Sequence, residues 1–130
     1  MKSFKFLKID RIRKRKEYIS LARCGNRYSN NIVVFNYRMN TIKRNRLGIT
    51  VSKKVGNAVT RNRIKRIIRD YFRLHRDQLG MGIDLNVIVR SDSGKASAET
   101  LVKHLKLGFI SIKRKYDDSR SDEKNSTFID

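Results

Sequence analysis

Residues Lys53 to Arg76 (KKVGNAVTRNRIKRIIRDYFRLHR) hold nine basic side chains, Lys53, Lys54, Arg61, Arg63, Lys65, Arg66, Arg69, Arg73 and Arg76, against one acid, Asp70. A solvated helix face ordinarily interleaves Glu with Lys so that charges pair at i,i+4. Here only Asp70, near Arg66 and Arg73, offers such a partner, so the charge calls for a polyanion. Arg outnumbers Lys, which favours forked contact with phosphate oxygens. Few Asn, Gln or Ser accompany them. Backbone and shape recognition of folded RNA therefore suits the stretch better than reading base edges of duplex DNA.

Other chemistry is hard to assemble. His75 and His104 fall on separate expected helices with no paired carboxylates nearby, which argues against an autonomous nuclease or a metal cluster. The single cysteine, Cys24, excludes an internal disulfide and a cysteine-based zinc site, and reads as a small, partly buried thiol.

The whole composition points the same way. The 130 residues carry 32 Lys and Arg against 12 Asp and Glu, a net charge of +20, with 38% hydrophobic residues. That hydrophobic content suits a folded domain rather than a basic tail, and nucleic acid leads over a membrane surface as the partner. No run of 18 apolar residues occurs, and Met1 to Leu7 (MKSFKFL) lacks the apolar core of a signal peptide, so a cytoplasmic location is expected. No internal repeat or linker divides residues 1–116, which form one expected domain. Residues 117–130 (DDSRSDEKNSTFID) read as a disordered acidic tail. With its five acids and two bases set aside, the charge of the body rises from +20 to +23.

The elements that must position the basic stretch follow from periodicity. Lys14 to Cys24 predicts a short amphipathic helix through Tyr18, Ile19, Leu21 and Ala22, stopped by Gly25. Asn31 to Tyr37 and Arg46 to Ser52 predict paired strands. In the second, Leu47, Ile49 and Val51 share one face while Gly48, Thr50 and Ser52 share the other. That small, polar face leaves room for a nucleic-acid backbone or for a closely packed helix, and both remain open. Ile83 to Arg90 predicts a third strand after Gly80 and Gly82. A closing helix from about Ala98 to Tyr116 aligns Ala98, Leu101, Val102, Leu105, Phe109, Ile112 and Tyr116, with Ser97 as N-cap; Gly108 weakens it without ending it.

Asn57 suits the N-cap of the basic helix, which should run from Ala58 to about His75. At 100° per residue, Thr60, Ile64, Ile67, Ile68, Tyr71, Leu74 and His75 fall on one side. Lys65, Arg76, Arg69, Asn62, Arg73 and Arg66 fall on the other, with Arg61 and Arg63 at its borders. Neutralising about six phosphates would cost such a surface roughly 1,000-fold in affinity between 50 and 200 mM salt.

The segment Ser52 to Arg69 (SKKVGNAVTRNRIKRIIR) resembles the RNR signature of the protein subunit of bacterial ribonuclease P, and the likeness spans about Phe6 to Tyr116. A ribosomal or RNA-chaperone protein shares the basic composition but not this segment. The resemblance implies a small α+β sandwich: a mixed sheet of about four strands, helices packed on it, and a left-handed βαβ crossover through the basic helix, against the right-handed rule. It further implies that catalysis resides in an RNA subunit whose Mg²⁺ ions activate water for phosphodiester hydrolysis. Lys53, Lys54, Arg61, Asn62, Arg63, Lys65, Arg66, Arg69 and Arg73 would then contact the catalytic RNA. A cleft with Tyr18, Ala22 and Phe35 would hold the 5′ leader of precursor tRNA, Ala22 standing where an aromatic is common. Neither a membrane nor an obligate protein partner is expected.

Overall fold

The computed structural model describes residues 5–80 and 82–129, with side chains to Asp117. Met1–Phe4, on which much of the signal-peptide argument falls, lie outside the described residues, as do Met81 and Asp130.

Strand β4 (Ile83–Val89) has every second residue apolar, and Ile83, Leu85, Val87 and Val89 are all buried. Asp84 and Asn86 on its other face are buried too, as a central strand covered on both sides requires. It lies antiparallel to β2 (Val33–Met39) and parallel to β3 (Arg46–Thr50). β1 (Asn26–Ser29) pairs with β2, giving a mixed sheet in the order β1-β2-β4-β3.

Two sequence expectations are corrected here. β2 and β3 are not paired with each other, because β4 lies between them. Alternation fixes which side chains share a face but names no neighbour, and the crossover through α2 (Ala58–His75) inserts the most apolar strand at the centre. β1 is a strand that periodicity does not predict: its residues NRYS offer one inward aromatic, Tyr28, too little for a periodic signal.

One face of the sheet forms the main core. Val33, Phe35, Tyr37, Leu47, Leu85 and Val87 pack there with Ile64, Ile68, Tyr71 and Phe72 of α2 and with Leu101, Leu105, Phe109 and Ile112 of α3 (Ala98–Ile129). Gly108 sits inside α3 because the Phe35 ring lies where a side chain would project. The Ser97 hydroxyl accepts from the Thr100 amide, capping the helix as expected. α3 then continues to Ile129. No Gly or Pro follows Gly108, so nothing in the backbone stops a helix already nucleated on the core.

The opposite face carries α1 (Arg15–Cys24). Leu21 is its buried anchor. Gly25 ends the helix in an extended conformation, its amide donating to the Leu21 carbonyl, and a Cβ there would crowd the carbonyls of Leu21 and Tyr37 at 2.6 and 2.9 Å. Arg46 ties α1 to the sheet, donating to Glu17 and to both carboxylate oxygens of Asp84. Burial raises the Asp84 carboxyl, but hydrogen bonds from Arg46 and Asn40 outweigh it and hold the group below its ordinary value.

Candidate nucleic-acid interface

Helix α2 begins and ends where expected, and the Asn57 carboxamide oxygen accepts from the Thr60 amide at 2.9 Å. Its buried residues are Ile64, Ile68, Tyr71 and Phe72. The inward side is therefore rotated toward Phe72 from the side read off the sequence, and Leu74, expected inside, is 48% exposed. The physical reason lies outside the helix. Phe6, from the N-terminal segment, packs edge-on against Phe72 at 5.8 Å and draws that residue into the core.

This rotation sorts the cationic residues. Asn62 and Arg66 are exposed and make no hydrogen bond or ion pair among the described residues. Arg63 is exposed toward the loop before α3, its guanidinium 3.3 Å from the Ala96 carbonyl. Arg73 is half-buried, 3.7 Å from Asp70. Arg61 folds back to donate to the Gly56 carbonyl. Lys53 and Lys54 are exposed in the turn that leads into the helix. Lys65 and Arg69, half-buried, turn toward β3.

There they meet a groove of about 550 Å³ along the outer edge of β3. Asn62, Lys65 and Arg69 form one wall, Tyr18 stands in the groove, and Arg11 and Arg13 line it from the N-terminal segment. A second groove, of about 450 Å³, shares Arg13, Tyr18 and Lys65 and extends the first past Thr50. Arg11 and Arg13 are functional candidates that sequence reasoning missed. Their signal was the alternation Arg11-Ile12-Arg13: Ile12 is buried and its amide donates to the Leu47 carbonyl, continuing the sheet edge while both arginines point out.

Tyr18 reaches over β3 and donates its hydroxyl to the Ile12 carbonyl at 2.9 Å. Burial, helped by the Glu17 charge, raises its pKa, so the phenol stays neutral. A Cβ on Gly48 would fall 2.5 Å from the Tyr18 ring. The small face of β3 is thus filled by a helix residue, which decides between the two alternatives left by the sequence at this position. Ala22 is exposed one turn further along the same flank of α1.

Phe35 is not at this site. It is fully buried on the opposite face, 5.6 Å from Tyr28 and 6.0 Å from Phe109. The period of two places its neighbour Asn36 on the α1 side instead. His75 stacks on Tyr71 at 4.3 Å, and His104 bonds the Thr100 carbonyl; the two belong to different helices and form no joint site. Among the described residues no three His, Cys, Asp or Glu side chains gather as metal ligands, and no helix is long and apolar enough to cross a membrane.

A mixed four-stranded sheet with helices on both faces and an arginine-rich helix beside a basic groove defines a small α+β RNA-binding protein. Residues 6–113 match the family model Ribonuclease P. The chain is 42% identical over 120 residues to the Ribonuclease P protein component of Desulfosudis oleivorans, covering 92% of this chain and 99% of that one. It is 46% identical over 90 residues to that of Desulfatibacillum aliphaticivorans, covering 69% and 76%. The solved ribonuclease P protein of Thermotoga maritima superposes with a TM-score of 0.70 at 30% identity, covering 80% of this chain and 96% of that one. The chain belongs to the ribonuclease P protein family, the protein subunits of the bacterial ribonucleoprotein that processes the 5′ end of tRNA.

Proposed function

We propose that this chain binds the catalytic RNA of ribonuclease P through the outer flank of α2 and holds the single-stranded leader of precursor tRNA in the groove at Tyr18. The observation that carries this reading is the groove itself, where one aromatic ring faces Asn62, Lys65 and Arg69 across a channel bordered by Arg11 and Arg13. Phosphates suit the cations and an unpaired base suits the ring, since stacking contributes about 1 to 3 kcal/mol whatever the base. Arg63, Arg66 and Arg73, with Lys53 and Lys54, face away from the groove or border it and suit the larger RNA.

Cleavage of the phosphodiester, leaving a 5′-phosphate on the tRNA, belongs in this reading to the RNA subunit. Mg²⁺ belongs there as well. Glu17 and Asp84, the two carboxylates brought together on the α1 side, are spent on Arg46, and a donor set already neutralised by a guanidinium does not suit a divalent cation. With RNA as both partner and substrate, the protein works in the cytoplasm.

Binding of precursor tRNA with and without its leader to the reconstituted holoenzyme tests the groove. Leadered precursor should bind more tightly, Tyr18→Ala should cut that advantage by about tenfold as removal of a stacked base requires, and Ala22→Phe should enlarge it. Equal affinity for both substrates in all three proteins would rule the groove out.

A further inference from the structure

The stretch from Lys5 to Lys16 holds seven Lys and Arg and one acid, Asp10. A terminal segment with that charge, laid beside the arginines of α2 and β3, should lift away unless something ties it down. Asp10 is 4% exposed, and a carboxylate is buried to that extent only where it is paired and hydrogen-bonded. Its Oδ2 accepts from the Leu7 amide at 2.8 Å and from Arg76 Nη1 at 3.2 Å, and Arg44 Nε lies 4.0 Å from its Oδ1.

Arg76 closes the arrangement. Helical phasing puts it on the cationic stripe of α2, yet its side chain is only 18% exposed. While Nη1 meets Asp10, Nη2 donates to the Lys5 carbonyl at 2.9 Å, so one guanidinium clasps both ends of the loop from Lys5 to Asp10. The turn inside that loop, Lys8–Asp10, delivers Arg11 in an extended conformation with its guanidinium 5.1 Å from the centre of the Phe6 ring. Phe6 is in turn held on Phe72. Ile12 then joins β3, and Arg13 follows it into the wall of the groove.

We propose that Asp10 and Arg76 are positioning residues that form a latch: they touch no RNA themselves and hold the N-terminal segment so that Arg11 and Arg13 stand against leader phosphates. This rests on the leader groove proposed above and adds the residues that set its basic wall. Arg76 is thereby withdrawn from the surface offered to the catalytic RNA. The forked guanidinium suits a clasp with two acceptors.

The test measures binding of precursor tRNA with and without its leader to the reconstituted holoenzyme as salt is varied. The ratio of the two affinities isolates the leader, and each phosphate contact to a single strand contributes about 0.7 to the slope of its logarithm against log salt. Two phosphates on Arg11 and Arg13 contribute about 1.4, which is about sevenfold in the leader advantage between roughly 50 and 200 mM. Asp10→Ala and Arg76→Ala should each remove that contribution, and the double variant should remove no more than either alone. Arg11→Ala with Arg13→Ala should match them. Binding of the isolated catalytic RNA should keep its salt slope in Arg76→Ala. A merely structural role would lower the melting temperature and leave the leader slope in place. Should Asp10→Ala melt below the assay temperature, Asp10→Asn, which keeps an acceptor for the Leu7 amide and loses the charge, must remove the contribution in the same way. A leader slope that survives any of these substitutions, a further loss in the double variant, or a shallower catalytic-RNA slope in Arg76→Ala overturns the latch. Equal affinity of the unmodified holoenzyme for leadered and leaderless substrates would instead overturn the groove on which it rests.

Discussion

Replacing Arg66 and Arg69 together with alanine should weaken binding to the catalytic RNA by a salt-dependent amount. Arg66 is exposed and makes no bond within the described chain, and Arg69 makes one, a long contact from Nε to the Lys65 carbonyl at 3.4 Å. Alanine is at least as good a helix former as arginine, so folding stability should change by no more than about 0.5 kcal/mol. Removing one phosphate neighbour lowers the slope of log K against log salt by about 0.7 to 0.9, so removing two lowers it by about 1.4 to 1.8. Between 50 and 200 mM salt the affinity of the unmodified protein should then fall about tenfold further than that of the variant. Titration of labelled catalytic RNA across that salt range measures both slopes. Parallel lines would remove this flank of α2 from the interface, whatever the absolute affinities.

Further outcomes follow from the core and the ion pairs. Phe35→Ala should cost about 3 to 5 kcal/mol in urea unfolding, as truncation of a fully buried aromatic does, while the refolded fraction keeps its preference for leadered substrate. Disappearance of that preference with stability unchanged would return Phe35 to the cleft. Asp84 is held below its ordinary pKa in the folded protein, so its contribution is present above the unfolded carboxyl value and disappears as pH falls through the lower folded one. Unfolding curves should therefore show stability falling below about pH 4, with a shallower fall in Asp84→Asn. Gly48→Ala should displace the Tyr18 ring, seen as altered tyrosine fluorescence and as a weaker leader preference; an unchanged spectrum would mean that the ring does not rest on β3.

Much of this molecule is legible in its sequence. Asn57 and the charge between Lys53 and Arg76 locate α2 to the residue, because a cap and an amphipathic period are local properties. The features that escape such a reading are set from a distance. Phe72 is inside because Phe6 covers it, and nothing within α2 announces that contact. Family likeness places Phe35 in the cleft, although its alternation with Val33 and Tyr37 already puts all three on the core face. The neighbours of β3 depend on a crossover that no strand pattern records. Arg11 and Arg13 join the groove because Ile12 binds the edge of β3, a pairing made across more than thirty residues of chain.

The division of labour between this chain and its RNA is tested most directly by reconstitution. Protein freed of RNA by nuclease treatment and denaturing purification should leave precursor tRNA intact at any Mg²⁺ concentration. Added to its cognate RNA, it should lower the Mg²⁺ or salt needed for cleavage and release the 5′ leader. Cleavage by the RNA-free protein would place the chemistry in this chain, and an RNA subunit indifferent to its presence would deny it the accessory role.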